Sequence, residues 1–127
     1  MATPVTTITM VVQMNVAGTI QFSAGQRSQA TILASTPNGG PVSQAIPTTS
    51  TGTAINIGSV SNLGWAWLQN TDATNYVEIG IKPSSTFLPV LRLLPGEAAM
   101  VRFSPAASLF AVANTAAVNL MCTIFDA

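Results

Sequence analysis

Apolar residues recur at every second position in short stretches of this chain, and Gly, Pro, Asn and Ser collect between the stretches. A side-chain period of two is that of an extended strand with one face covered. Over 5–16, Ile8, Met10, Val12 and Met14 share one face, with Thr7, Thr9 and Gln13 on the other. Ile20 and Phe22 resume the alternation after Ala17-Gly18, and Ala30-Thr31-Ile32-Leu33 follows a polar break at Gln26–Gln29. The run Thr36-Pro37-Asn38-Gly39-Gly40-Pro41 is the strongest turn or loop signal, and the Ser/Thr-rich segment 42–54 predicts an exposed loop or a weak edge strand. Beyond it the pattern sharpens. Ile55 and Ile57 form a short alternation, and 63–68 places Trp65 and Trp67 on one face with Ala66 and Leu68 on the other. Asn70–Asn75 closes a turn into 76–81, Pro95-Gly96 joins 87–94 to 98–103, and 109–113 meets 118–125 around Asn114-Thr115.

No helical stripe interrupts this series. Pro105-Ala106-Ala107-Ser108 suffices for one turn of helix at most, and no internal repeat suggests a solenoid or propeller. About eight to ten strands at a spacing near ten residues predict an all-β chain, a jelly roll or related β-sandwich or barrel. At 127 residues it is a single domain. Residues 1–16 are expected to be an N-terminal strand or docking arm, and 17–127 the sandwich itself.

Composition changes the picture more than length does. Hydrophobic residues make up 48% of the chain, enough for a core, but only four basic and four acidic residues occur and histidine is absent. A freely diffusing domain usually carries about a quarter charged residues. Just one charge, Arg27, precedes Asp72. The basic residues Arg27, Lys82, Arg92 and Arg102 are too few and too scattered for a cationic stripe, so no nucleic-acid partner is expected. The mean hydropathy of +0.47 raises the question of a membrane. The uncharged stretch 103–125 is nevertheless broken by Ser104, Pro105, Asn114, Thr115, Asn119 and Thr123, which fits β-strands and not a span. The N-terminus lacks the basic region of a secretory signal.

The same scarcity removes most catalytic chemistry. A Ser or Cys nucleophile needs a base within hydrogen-bond reach, usually histidine. Paired-carboxylate chemistry would have to draw on Asp72, Glu78, Glu97 and Asp126, which stand at turns or beside the C-terminus. Asp72 with Asn70, Thr71 and Asn75 supplies the oxygen ligands of a weak calcium loop, but Asx residues more often close turns on their own backbone. Cys122 lies in the apolar run 120–124, as a buried thiol would. We therefore expect no enzyme, no small-molecule substrate, no cofactor and no catalytic or metal-binding residue.

What remains is surface. Soluble β proteins guard their edge strands with charge, lysine above all, and this chain has one lysine. Its neutral strands suit burial against another subunit. Residues 1–16 read either as a segment that adds to a neighbour or as an ordinary first strand. Trp65 and Trp67 read as core, as subunit interface, or as a platform for sugar rings. The candidate contact residues are Val5, Ile8, Met10, Val12, Met14, Trp65 and Trp67.

The run Gly64-Trp65-Ala66-Trp67-Leu68-Gln69-Asn70-Thr71-Asp72-Ala73-Thr74-Asn75-Tyr76-Val77-Glu78-Ile79-Gly80 resembles small structural proteins of tailed bacteriophages. So do Leu93-Leu94-Pro95-Gly96-Glu97, Arg102 and the segment 109–115. The resemblance spans about residues 62–125 and describes hairpins and strand ends, so it carries no site residue over. It implies a capsid decoration (cement) protein: made in the host cytoplasm, homotrimeric, bound to the major capsid protein on the outside of the virion, and bridging capsid subunits. A receptor- or glycan-binding fibre or tail module using the two tryptophans is the alternative.

Overall fold

The computed structural model describes residues 5–10, 13–16, 19–23, 28–33 and 39–126, with side chains from residue 41 onward. It is all-β, with no helix among the described residues. The chain divides into two compact units, 1–34 and 35–127.

In the first unit, strands β1 (Val5–Met10) and β4 (Ser28–Leu33) pair antiparallel, from Val5 opposite Leu33 to Met10 opposite Ser28. Between them in sequence, β2 (Gln13–Val16) pairs with β3 (Thr19–Ser23), with a register shift between Met14 and Asn15. The expected arm 1–16 thus contributes β1 and β2 to ladders whose other halves come from 19–33.

The second unit holds β5 (Gly39–Ile46), β6 (Thr53–Ala54), β7 (Leu63–Asn70), β8 (Val77–Ile81), β9 (Leu88–Leu93), β10 (Ala98–Arg102), β11 (Phe110–Ala113) and β12 (Val118–Asp126). They form two four-stranded antiparallel sheets, in the orders β10-β7-β12-β5 and β6-β11-β8-β9. The connectivity is that of one long hairpin. First half meets second half outward from the β8–β9 pair, through β7–β10 and β6–β11 to β5–β12. Rolling this ribbon brings β12 beside β7 and β11 beside β8, which makes a jelly roll.

Alternation decides which faces meet. On β12, Val118, Leu120, Cys122 and Ile124 are buried while Asn119 is exposed; on β7, Leu63, Ala66 and Leu68 are buried. With Ile46, Val77, Ile79, Leu93, Leu109, Ala111 and Ala113 they fill the space between the sheets. Each fully buried Leu, Ile or Val stabilises the sandwich by about 1.5–3 kcal/mol.

Segment 42–54 resolves into the edge strand β5, a loop and the two-residue β6. Val42, Gln44 and Ile46 turn inward along β5, and Gln44 ties this edge to the next element. Its Nε2 donates to Ala54 O (2.9 Å) and its Oε1 accepts from Asn56 N (2.8 Å). The Pro95-Gly96 turn closes as its sequence predicts. Glu97 N donates to Leu94 O (3.0 Å), and Gly96 takes φ +78°, a conformation that costs glycine nothing.

Candidate interaction surface

The polar groups of the second unit are spent on its turns. Asn70 ends β7 fully buried; its Nδ2 donates to Asn75 O (2.8 Å) and Leu93 O (3.1 Å), and its Oδ1 accepts from Asp72 N (2.9 Å). Asp72 continues the loop, its Oδ1 accepting from Thr74 N (2.8 Å) and Asn75 N (2.6 Å). Those backbone donors hold its carboxyl below the usual carboxylate range. Of the two readings of this loop, turn closure is the one its oxygens serve. No group of three or more His, Cys, Asp or Glu converges among the described residues.

Two other carboxylates also accept from backbone N–H groups. Glu97 Oε2 accepts from Leu94 N (2.7 Å) across the Pro95-Gly96 turn, and Asp126 Oδ1 accepts from Asn62 N (2.9 Å). Glu78 and Arg92 face each other across β8 and β9 in a 2.6 Å ion pair, with the guanidinium stacked 4.2 Å over the Tyr76 ring. This exposed pair fixes register more than it stabilises. Lys82 lies 5.3 Å over the Phe110 ring.

Cys122 is buried among the apolar side chains of β12, and desolvation pushes its thiol up to about 11. At pH 8 only about one buried thiol in a thousand is then ionised. Iodoacetamide should leave the native chain unlabelled over hours and label it stoichiometrically in denaturant. Rapid native labelling would contradict the burial of β12.

Two faces of the second unit turn large apolar side chains outward. The first is the outer face of the β10-β7-β12-β5 sheet. Trp65 and Trp67 both point outward, since Ala66 and Leu68 between and beside them point in. Trp67 stands between Met100 on β10 and Thr123 on β12, Trp65 lies opposite Arg102, and Gln69 lies opposite Met121. Opposed residues share a face, so the tryptophans and two methionines form one patch whose charge is Arg102. Trp67 is 37% exposed. The Trp65 indole Nε1 is buried without a hydrogen-bond partner among the described residues, as is Asn114 Oδ1. Unmade, such a bond costs about 1–3 kcal/mol.

The second surface is the flank where β9 ends its sheet. Leu88, Val90 and Ile81 are exposed there, Val90 by 74%, beside an apolar cavity of about 230 Å³ between β8, β9 and β10. The unbroken apolar run Leu88-Pro89-Val90-Leu91 was the available signal for this flank: a proline within a strand marks an edge.

Of the expected contact residues, the structure brings Trp65 and Trp67 together on the outer face. Val5, Ile8 and Met10 lie on β1 and Met14 on β2, as backbone without described side chains; Val12 falls outside the described residues. The chain matches no protein-family model, no curated protein and no solved structure.

Proposed function

We propose that this chain is a non-enzymatic structural protein of a virion, binding the outside of a phage capsid and stabilising it by bridging capsid subunits. One observation carries the reading. A jelly roll presents an outer sheet face of two tryptophans and two methionines with a single guanidinium among them. Aromatic residues, Met and Arg are the types enriched where proteins cover one another. Burying a neutral strand face takes no ion out of water. The resemblance of 62–125 to phage structural proteins supplies the setting.

The action would be mass action. A protein that binds only the assembled shell raises the free energy needed to open it, by an amount set by its concentration and affinity. Docking is assigned to the uncharged N-terminal segment from Val5 to Met14, and self-association to neutral strand faces of the second unit. Purified chain should co-sediment with intact shells of its own virion, and a version lacking residues 1–14 should not, while its second unit keeps the cooperative thermal unfolding it has in the full chain. Undiminished binding by that truncation would sink the docking assignment.

The exposure of Trp67 keeps a glycan-binding module in play as a second reading. On a glycan array, specific binding lost in Trp67→Ala would favour it over the capsid reading.

A further inference from the structure

The two sheets of the second unit have four edges, and three of them carry devices that discourage pairing with another strand. β5 begins Gly39-Gly40-Pro41, β6 is two residues long, and β9 contains Pro89 beside a register shift. The fourth, β10, has only the charge of Arg102 at its end. Ala98-Ala99-Met100-Val101-Arg102 runs in unbroken register along β7, without proline, lysine or bulge. Phe103 N donates to Gly64 O (3.0 Å) and Asn70 N to Glu97 O (2.9 Å). Antiparallel alternation then turns the backbone groups of Ala99 and Val101 toward β7, and those of Ala98, Met100 and Arg102 toward the open side. Among the described residues, no turn or loop bond engages those open-side groups.

We propose that a second copy of this chain occupies that edge, β10 pairing antiparallel with β10 about a twofold axis at Met100, so that two four-stranded sheets become one of eight strands. Three features fit this occupant. Charge is compatible: the pairing sets Arg102 of each copy opposite the neutral Ala98 of the other, one residue from Glu97, so no like charges meet. Arg102 has no ion pair among the described residues, and Glu97 spends only Oε2 on its own turn. The match occurs twice by symmetry. Apolar surface is also continuous, because Met100 lies opposite Trp67 and the twofold extends this row into Met100 and Trp67 of the second copy. Lastly, Val90 and the cavity lined by Val90, Leu91, Val101 and Phe103 lie on the same flank, and would face their counterparts. Being twofold, the contact joins chains in pairs, in addition to any ring closed through other faces.

The test needs only purified chain, so its failure is distinct from a failure of capsid binding. In the proposed register, Cα100 and its symmetry mate are about 5.5 Å apart, within disulfide reach. The two Cα98 atoms are about 14 Å apart, four residues along the ladder and on neighbouring strands, and beyond it. Under mild oxidation Met100→Cys should become a covalent dimer, whereas Ala98→Cys should not. The wild type should show even multiples of the 13.1 kDa chain mass by native mass spectrometry. Met100→Pro removes an N–H that points away from β7, so it should halve that mass while leaving circular dichroism and thermal unfolding nearly unchanged. A monomeric wild type at its highest soluble concentration, an odd-numbered assembly alone, or equal cross-linking at 98 and 100 would overturn the proposal.

Discussion

Gly80→Ala is expected to be the most damaging single-atom addition in the second unit, lowering its stability by about 3 kcal/mol or more. A Cβ at this position would lie 2.0 Å from Leu88 O, 2.8 Å from Leu88 C and 2.9 Å from Pro89 Cα. All three are backbone atoms of β9, so no side-chain rotation relieves the overlap. Gly80 sits opposite Pro89, just past the register shift that follows Ile79 opposite Leu91. The proline ring stiffens the partner where it would have to yield. The strand must therefore move away from β8, taking Leu91 and Leu93 out of their packing. At about 4–8 °C per kcal/mol for a domain of this size, the midpoint of thermal unfolding should fall by more than about 12 °C. Hydrogen exchange should speed up along 77–81 and 88–93 before it does along β12. A loss below about 1 kcal/mol by calorimetry would show that β9 approaches β8 less closely than described.

Asn70 should give the second large effect. Its side chain joins three segments: the 70–75 loop through Asp72 and Asn75, the end of β9 through Leu93, and its own strand. Its backbone adds the β9–β10 turn, with Asn70 N donating to Glu97 O (2.9 Å) and Asn70 O accepting from Gly96 N (3.0 Å). Asn70→Ala deletes three side-chain bonds and leaves Leu93 O without its donor, at about 2–4 kcal/mol. Asn70→Asp is the sharper probe. It keeps the shape and the Oδ1 acceptor, but an ionised carboxylate would present oxygen to the Asn75 and Leu93 carbonyls in a site without water. Burial and those acceptors raise its folded-state pKa above the unfolded value. The variant is then least impaired below the unfolded carboxylate pKa, near 4, and loses stability as pH rises above it. Urea unfolding at pH 4 and pH 8 should show a larger deficit relative to wild type at pH 8; an equal deficit would mean that the site admits solvent.

How far the sequence foretold these positions depends on what each rests upon. Period-two alternation identified β7, β8, β11 and β12, because a strand with one face in the core writes that burial locally. It grouped Trp65 with Trp67, but both faces of β7 are apolar, so it left open which one turned inward. The compact pair Ala66 and Leu68 fits between the sheets, and the bulky indoles lie outside. β5 was half legible, since Gly, Pro and Ser read as loop, and its place rests on distant partners in β12 and on the Gln44 side chain. Asn70 was legible only as a turn residue, because two of its three partners, Asn75 O and Leu93 O, are carbonyls placed by the fold. For the candidate surface, alternation supplied the tryptophan face. Pro89 within an apolar run marked the β9 flank as an edge, whereas the open β10 edge follows from strand order, which no local pattern encodes.

The position of β12 has a consequence in time. It enters its sheet between β7 and β5, contributing Val118, Leu120, Cys122 and Ile124 to the core. Until these residues have been synthesised, β5 and β7 have no strand to join them, and the first-made half of the roll is held open. Every ladder of the roll beyond the β8–β9 hairpin closes over a long stretch of chain, the kind of contact that slows folding. A ribosome making this protein therefore carries an unfinished sheet, with its apolar faces uncovered, up to the moment the last strand emerges.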